Sequence, residues 1–327
     1  MNEYKDKNVL VTGGTGLIGR QVVDLLVEYG AKVNVITLDN LELNPKAKYF
    51  NYDLTRKNIS LNYLGKLYMG DIDYVFHLAG IKASPKITNS NPATMSITPL
   101  QINTNVLEAC RINGIKNVLF TSSIGAYSEN WRLKEEFAYR DLPMDFYPGM
   151  VKRMAEYQIQ AYEKEFGLKY VICRLTNNFG IGDNFNPDNG MFISSLMAKV
   201  LKGDNPVEIW GDGSNIRDFA YSKDTAKGIL QMMINAKDTQ PINLGGHKAS
   251  VKEIVNILQS ITTFEIVYNN SRDTGIKERV LDYSKAKSMG YTLTTSLYNA
   301  IKETWEWYKN NSLESLKRIN YFDKTGN

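Results

Sequence analysis

Asn8 to Gly19 reads NVLVTGGTGLIG, and these residues decide the fold. Val9, Leu10 and Val11 form a short aliphatic run, the pattern of a buried strand. Glycines at 13, 14, 16 and 19 then make a tight turn, and Leu17, Ile18, Val22 and Val23 recur with the spacing of one helix face. A strand, a glycine-rich turn and a helix N-terminus together place open amides and the positive end of a helix dipole where a pyrophosphate fits. The same kind of turn also closes ordinary strand-helix units, so the segments that follow must decide between the two.

Working outward, the first helix ends near Gly30 and KVNVIT reads as a second strand, followed by Leu38, Asp39 and Asn40. An acidic residue at such a strand end accepts hydrogen bonds from both ribose hydroxyls of an adenosine and repels a 2′-phosphate. Asp39 is placed for that role, with a turn residue as the plainer reading. Lys48 to Asp53 forms a third strand, with Asp53 at its end placed to meet an adenine amine. DYVFHLAG, 73 to 80, is a fourth, apolar almost throughout as in a parallel sheet covered on both faces. Its end, Leu78-Ala79-Gly80, lies toward the adenosine side of a ligand, and His77 within it reads as a satisfied buried histidine.

Ile81 to Met95 is polar and carries Pro85 and Pro92, which predicts a loop. Helical spacing resumes beyond Pro99 with Ile102, Val106, Leu107 and Cys110, and stops at Gly114. KNVLFTSS is a fifth strand whose carboxyl end delivers Thr121, Ser122 and Ser123, at the edge where open α/β sheets form their ligand crevice. Residues 128 to 148 predict an irregular excursion, 150 to 166 a long helix, and KYVICRL a sixth strand. Beyond it, the shorter strands PVEIW, RDFAY and PINL mix with helices at 191 to 202, 222 to 236, 250 to 261 and 295 to 310. The pattern predicts an α/β fold: a doubly wound parallel sheet from residues 1–175 with a return near 218–243, and a smaller mixed lobe from 176–217 and 244–327. The polar tail after Asn311 predicts a loosely packed or frayed end.

A chain of 327 residues with 43% hydrophobic content buries a full core. The formal net charge of +4 is spread over interspersed acidic and basic residues, which argues against a nucleic-acid partner or a membrane surface. No apolar run reaches the roughly 18 residues of a membrane span, and the first strand begins within eight residues of Met1, so the reading is cytoplasmic. Cys110 and Cys173 read as structural thiols, and with only His77 and His247 beside them no metal site is expected.

Taken together, the blocks TGGTGLIG, YDL (52–54), HLAG (77–80), FTSS (120–123), Lys152 with Glu156, RLTNNFG (174–180), WGDGSNIRDFAY (210–221), INLGG (242–246) and LDYSKAKSMGY (281–291) resemble the extended short-chain dehydrogenase/reductase family. This family contains nucleotide-sugar epimerases, dehydratases and reductases. The block GDNFNPDNGMFISSL, 182 to 196, is most similar to its GDP-sugar branch, which includes GDP-fucose synthase. The resemblance implies a Rossmann-type sheet and a nicotinamide cofactor held by Gly13, Thr15, Gly16, Leu17, Ile18 and Gly19, by Asp53 and Leu54, by Leu78, Ala79 and Gly80, and by Lys152. With Asp39, it favours NAD over NADP. It implies a nucleotide diphosphate sugar in the second lobe, met by Ser122, Asn177, Asn178, Arg217 and Arg279, because a guanidinium fork suits phosphate oxygens. It also implies a homodimer or higher oligomer formed through the helices at 100–113 and 149–166.

The family's catalytic set is a Tyr, a Lys four residues later and a Ser or Thr hydroxyl. Ser123 and Lys152 match, but Pro148 stands where the tyrosine belongs and Tyr147 comes one residue too early. Either Tyr147 reaches the site from an extended residue preceding a proline, or another base serves, or redox turnover is lost. The Asp-Glu pair of the dehydratases is replaced by Ile124 and Gly125, and the Cys and His of GDP-fucose synthase by Ile124 and Met191. Hydride transfer at a sugar carbon, C4 above all, is the expectation that remains, with C4 epimerisation as the alternative and a binding protein without turnover as a third reading.

Overall fold

The computed structural model describes residues 2–56, 72–272 and 274–317. The first half alternates strand and helix: β1 (Asn8–Thr12), α1 (Leu17–Glu28), β2 (Lys32–Thr37), β3 (Lys48–Asn51), β4 (Tyr74–His77), α2 (Pro85–Ser90), α3 (Pro92–Ile112), β5 (Asn117–Ser123), α4 (Phe146–Phe166) and β6 (Val171–Leu175). The second half is mixed: β7 (Asn177–Phe179), α5 (Phe192–Lys202), β8 (Val207–Trp210), β9 (Ile216–Tyr221), α6 (Ser222–Asn235), β10 (Ile242–Leu244), β11 (His247–Ser250), α7 (Val251–Ile261), β12 (Ile266–Asn269), β13 (Glu278–Arg279), α8 (Ser284–Ser288) and α9 (Leu297–Lys317).

Seven strands make one parallel sheet in the order β10-β6-β5-β4-β1-β2-β3. Alternation along β1 builds both of its faces. Val9 and Val11 join Val22, Val23 and Leu26 of α1 and Ile229 and Leu230 of α6. Leu10 points the other way, into a core with Ile102 and Val106 of α3 and Ile159 of α4. Because the chain leaves β1 for β2 on one side and returns as β4 on the other, the sheet's switch point lies at the carboxyl end of β1, where a crevice opens. A third core gathers Phe179, Leu196, Ile209, Tyr221, Ile254 and Trp305 beside strands β7, β9, β11 and β13.

Four expectations are corrected. Ile81 to Met95 is not a loop: Pro85 and Pro92 each open a helix, α2 and α3, where a missing N–H costs nothing. The Ser84 hydroxyl caps α2 by accepting from the Ile87 amide, and Pro99 sits buried inside α3. The long helix α4 begins at Phe146, not Met150, so Tyr147 is helical although a proline follows it. Pro148 lies in the first turn, again outside the ladder, and the first α4 bond runs from the Gly149 amide to the Asp145 carbonyl at 2.7 Å. The third strand ends at Asn51, which leaves Asp53 in the turn after it. Finally, α9 continues past a kink at Asn311 as far as Lys317, and Glu314 pairs with Arg20 at 2.9 Å. The rest of the predicted frayed tail lies outside the described residues.

His77 is buried and satisfied as predicted, its ring nitrogens 2.8 Å from the Thr12 hydroxyl and 3.1 Å from Asn103 Oδ1. Burial pushes it down to about 3, so it is neutral near pH 7. Cys110 and Cys173 are buried free thiols.

Candidate active site

A cleft of about 1350 Å³ runs along the carboxyl ends of the strands. Its floor is the glycine turn. Gly13 has a φ of +72°, and a Cβ there would meet the Ala79 Cα at 2.8 Å. At Gly19 a Cβ would sit 2.1 Å from the Gly13 carbonyl oxygen, which locks helix to turn without room for any side chain. Gly16 occupies the N-cap of α1 and no side chain caps the helix, so its first-turn amides face the cleft beside Leu78, Ala79 and Gly80. The Asp39 carboxylate accepts from the Thr15 hydroxyl at 2.7 Å and is buried at the end of β2, with Asp53 and Leu54 across the same end of the cleft. A cradle closed to Cβ atoms, with open amides and a buried acidic residue two positions beyond β2, fits NAD.

The opposite wall is α4. Its first turn lies tightly on the turn after β5: a Cβ at Gly149 would come within 2.4 Å of the Gly125 carbonyl oxygen. That contact sets Tyr147, Pro148 and Lys152 along the cleft with Ser123. Lys152 Nζ donates to the Thr121 carbonyl at 2.7 Å and lies 4.8 Å from the Phe120 ring centroid. Burial pushes Lys152 down to about 8, partly opposed by the Glu156 charge. The Ser123 hydroxyl oxygen accepts from the Gly125 amide, which leaves its proton directed elsewhere. Pro148, one turn before Lys152 on the same helix face, presents no proton, and the Tyr147 ring is 43% exposed at the cleft's rim, edge-on to Phe146.

One turn beyond Lys152, Glu156 forms a fully buried pair with Arg174 of β6 at 2.6 Å. Ser122 donates its hydroxyl proton to the same carboxylate, so that hydroxyl is committed to the core pair rather than offered to a sugar. Asn177 lines the cleft but donates its amide to the Asp218 carbonyl at 3.1 Å, and buried Asn178 donates to Thr176. Arg217 and Arg279 are register partners on β9 and β13. Arg279 lines the cleft; Arg217 does not, and its guanidinium donates to the carbonyls of Ile216, Lys277 and Thr274. Burial and the neighbouring Arg279 charge lower the Arg217 pKa.

Two groups escape a reading of the sequence. Asp145, the N-cap of α4, holds Arg279 through contacts of 2.6 and 3.3 Å. Asp183 is buried in the cleft wall and lies 3.7 Å from Lys82. The signal for Asp145 was its type, a common N-cap residue just ahead of an aromatic run; its partner lies 134 residues away and leaves no local mark.

A dinucleotide cradle opposite a half-buried lysine of α4, bonded to the end of the fifth strand, defines a nicotinamide-dependent oxidoreductase of the extended short-chain dehydrogenase/reductase type. Residues 9–245 match the NAD dependent epimerase/dehydratase family, and the chain belongs to that family; it is an enzyme whose cofactor is NAD. A putative UDP-glucose 4-epimerase of Methanocaldococcus jannaschii is 34% identical over 93% of this chain and 99% of its own. A probable GDP-L-fucose synthase of Oryza sativa is 26% identical over 96% of this chain and 95% of its own. Among solved structures, the UDP-glucose 4-epimerase of Thermotoga maritima with UDP-glucose superposes with a TM-score of 0.82 at 30% identity, covering 93% of this chain and 99% of that one.

Proposed function

We propose that the protein transfers a hydride at C4 of a nucleotide diphosphate sugar, with Ser123 and Lys152 at the reacting carbon and Tyr147 as an acid/base displaced by one residue. The observation that supports it is the joining of Ser123, Tyr147 and Lys152 to the glycine cradle in one cleft. Held by the glycine turn, NAD would supply the hydride acceptor. The residues of the chain handle everything else: Ser123 orients the sugar hydroxyl, Lys152 supplies a positive charge beside it, and the hydroxyl proton leaves to the Tyr147 phenolate at the rim, which becomes the phenol. Arg279 and Asn177 face the diphosphate. Residues 1–175 with 218–243 form the cofactor half, and 176–217 with 244–327 the sugar half.

A second reading, C4 epimerisation, is favoured by the 34% and 30% identities to 4-epimerases. Its chemistry uses the same residues twice, in opposite directions. The resemblance to GDP-sugar enzymes and the identity to UDP-sugar enzymes call for both bases in the assay.

The test is to identify the nucleotide released from the purified protein by mass, then to follow 340 nm absorbance and the sugar NMR spectrum with NAD and UDP-glucose or GDP-mannose. A dehydrogenase accumulates NADH; an epimerase changes the sugar and does not. Tyr147→Phe is expected to cost about 100-fold in turnover, the low end for a positioned acid/base. Intact turnover in that variant assigns the proton to another group, and binding of both ligands without any turnover overturns the enzymatic proposal. The proposed homodimer runs through α3 and α4, where Ile97, Met154 and Tyr157 stand about half exposed. Sedimentation of Met154→Glu checks it, with a monomer as the expected outcome.

A further inference from the structure

The Asp145–Arg279 pair joins the two parts of the site in a way that the hydride-transfer reading does not require. Arg279 belongs to β13 of the second lobe, and Asp145 is the N-cap of the helix that carries Tyr147, Pro148 and Lys152. Both line the cleft. The Asp145 carboxylate touches Nη1 and Nη2 of Arg279 at 3.3 and 2.6 Å, and the Arg279 Nε is buried with no hydrogen-bond partner among the described residues. The neighbouring strand β9 places Arg217 at the register position beside Arg279, with its own guanidinium on backbone carbonyls. A second consequence falls on the helix. Asp145 accepts no hydrogen bond from the first-turn amides, although its residue type ordinarily does so at an N-cap. At the third helical position Pro148 has no amide to offer, which leaves the Tyr147 N–H as the amide within capping reach.

We propose that Asp145 is a built-in competitor for the substrate's diphosphate: it holds Arg279 in the free enzyme, yields it when the diphosphate enters, and then turns to cap α4 at the Tyr147 amide. The diphosphate brings about two negative charges where one carboxylate stood, and it reaches the orphaned Nε that Asp145 does not. Substrate affinity is thereby lowered, and the released carboxylate fixes the turn that carries Tyr147. The inference rests on the proposal that this cleft takes a nucleoside diphosphate group.

Calorimetric titration of the NAD-loaded protein with UDP and with GDP, free of sugar, tests it. Asp145→Asn removes the competing charge while keeping the shape, and is expected to tighten the nucleoside diphosphate about tenfold. In an Arg279→Met background the same substitution is expected to change affinity less than twofold, because the contested group is gone. A merely structural role for Asp145 predicts the opposite sign, weaker binding in the single variant, and that result or an unchanged affinity overturns the proposal. Asp145→Ser, which retains a capping hydroxyl, supplies the same readout should the asparagine variant fail to fold. If the wild type itself binds neither UDP nor GDP, the underlying nucleotide-sugar reading fails instead, and the two failures are distinguished by that first titration.

Discussion

Helices α1 and α4 both begin at this cleft, and neither N-terminus is capped by a side chain. At α1 the N-cap is Gly16, which has no side chain to offer, so backbone amides and the helix dipole are left to meet an anion. At α4 the N-cap is Asp145, which has a carboxylate but commits it to Arg279, and the third position is a proline. The first device handles charge with backbone, the second with side chains from distant parts of the chain. Backbone devices are specified by glycine spacing over a dozen residues. Side-chain devices depend on partners that only the fold brings together.

The sharpest way to break this contrast is to remove one part from each end. Gly19→Ala puts a Cβ 2.1 Å from the Gly13 carbonyl oxygen, a clash that backbone cannot relieve locally, and NAD is expected to be absent from the purified variant. Lys152→Met keeps the cradle and removes the charge proposed to lie beside the reacting carbon. Turnover is expected to fall about 1000-fold, within the range for positioned proton-transfer groups, while cofactor is retained. Mass analysis of released nucleotide together with single-turnover rates checks both. A Lys152→Met protein stripped of NAD as completely as the glycine variant would mean that α4 belongs to the cradle after all.

A smaller effect sharpens the α4 side through pH. Burial pushes Lys152 down to about 8, whereas in the unfolded chain a lysine titrates near ~10.4. Between those values the unfolded state holds more protons, so this residue's contribution rises with pH and is lost as pH falls through about 8. The full swing is about 3 kcal/mol. Lys152→Met abolishes it, so the wild type is expected to gain on the variant by roughly that amount between pH 7.5 and 10.5. Urea midpoints of both proteins at the two pH values provide the measurement, and the difference cancels the titration of the buried tyrosines.

The same contrast explains what was legible. The parallel sheet, its alternating faces and the cradle from Gly13 to Gly19 were readable because each depends on neighbours in sequence. So was His77 as a satisfied core residue. The sequence places the start of α4 four residues late because the residue before Pro148 reads as extended, whereas a proline in a first turn breaks nothing. Pro85 and Pro92 misled in the same manner. The family resemblance assigns Ser122 to the substrate, but alternation along β5 turns it toward Glu156, a direction that only the strand's register reveals. The Arg279 guanidinium was legible as a cation of the site, and it does line the cleft; its Asp145 counter-ion was not, since ion pairs between remote segments leave no spacing to read.

Asp39 lies between the two devices, and its substitution carries the smallest expected effect. It sits in the cradle, but it acts through a side chain: one carboxylate oxygen accepts from Thr15, and the Thr15 hydroxyl also lies 2.6 Å from that of Thr37. A cofactor 2′-phosphate placed against this carboxylate meets like-charge repulsion of about 1 to 4 kcal/mol at 4 Å, depending on how much water screens it. Asp39→Asn keeps an acceptor for Thr15 and removes the charge, so it separates repulsion from loop support. NADPH affinity is expected to rise about tenfold, equivalent to ~1.4 kcal/mol, while NADH weakens only a few-fold through loss of a charge-assisted bond to the ribose. Fluorescence titration of both dinucleotides decides it. If NADPH does not tighten and NADH weakens strongly, Asp39 serves to hold Thr15 and the glycine turn, and the preference for NAD must then come from backbone shape alone.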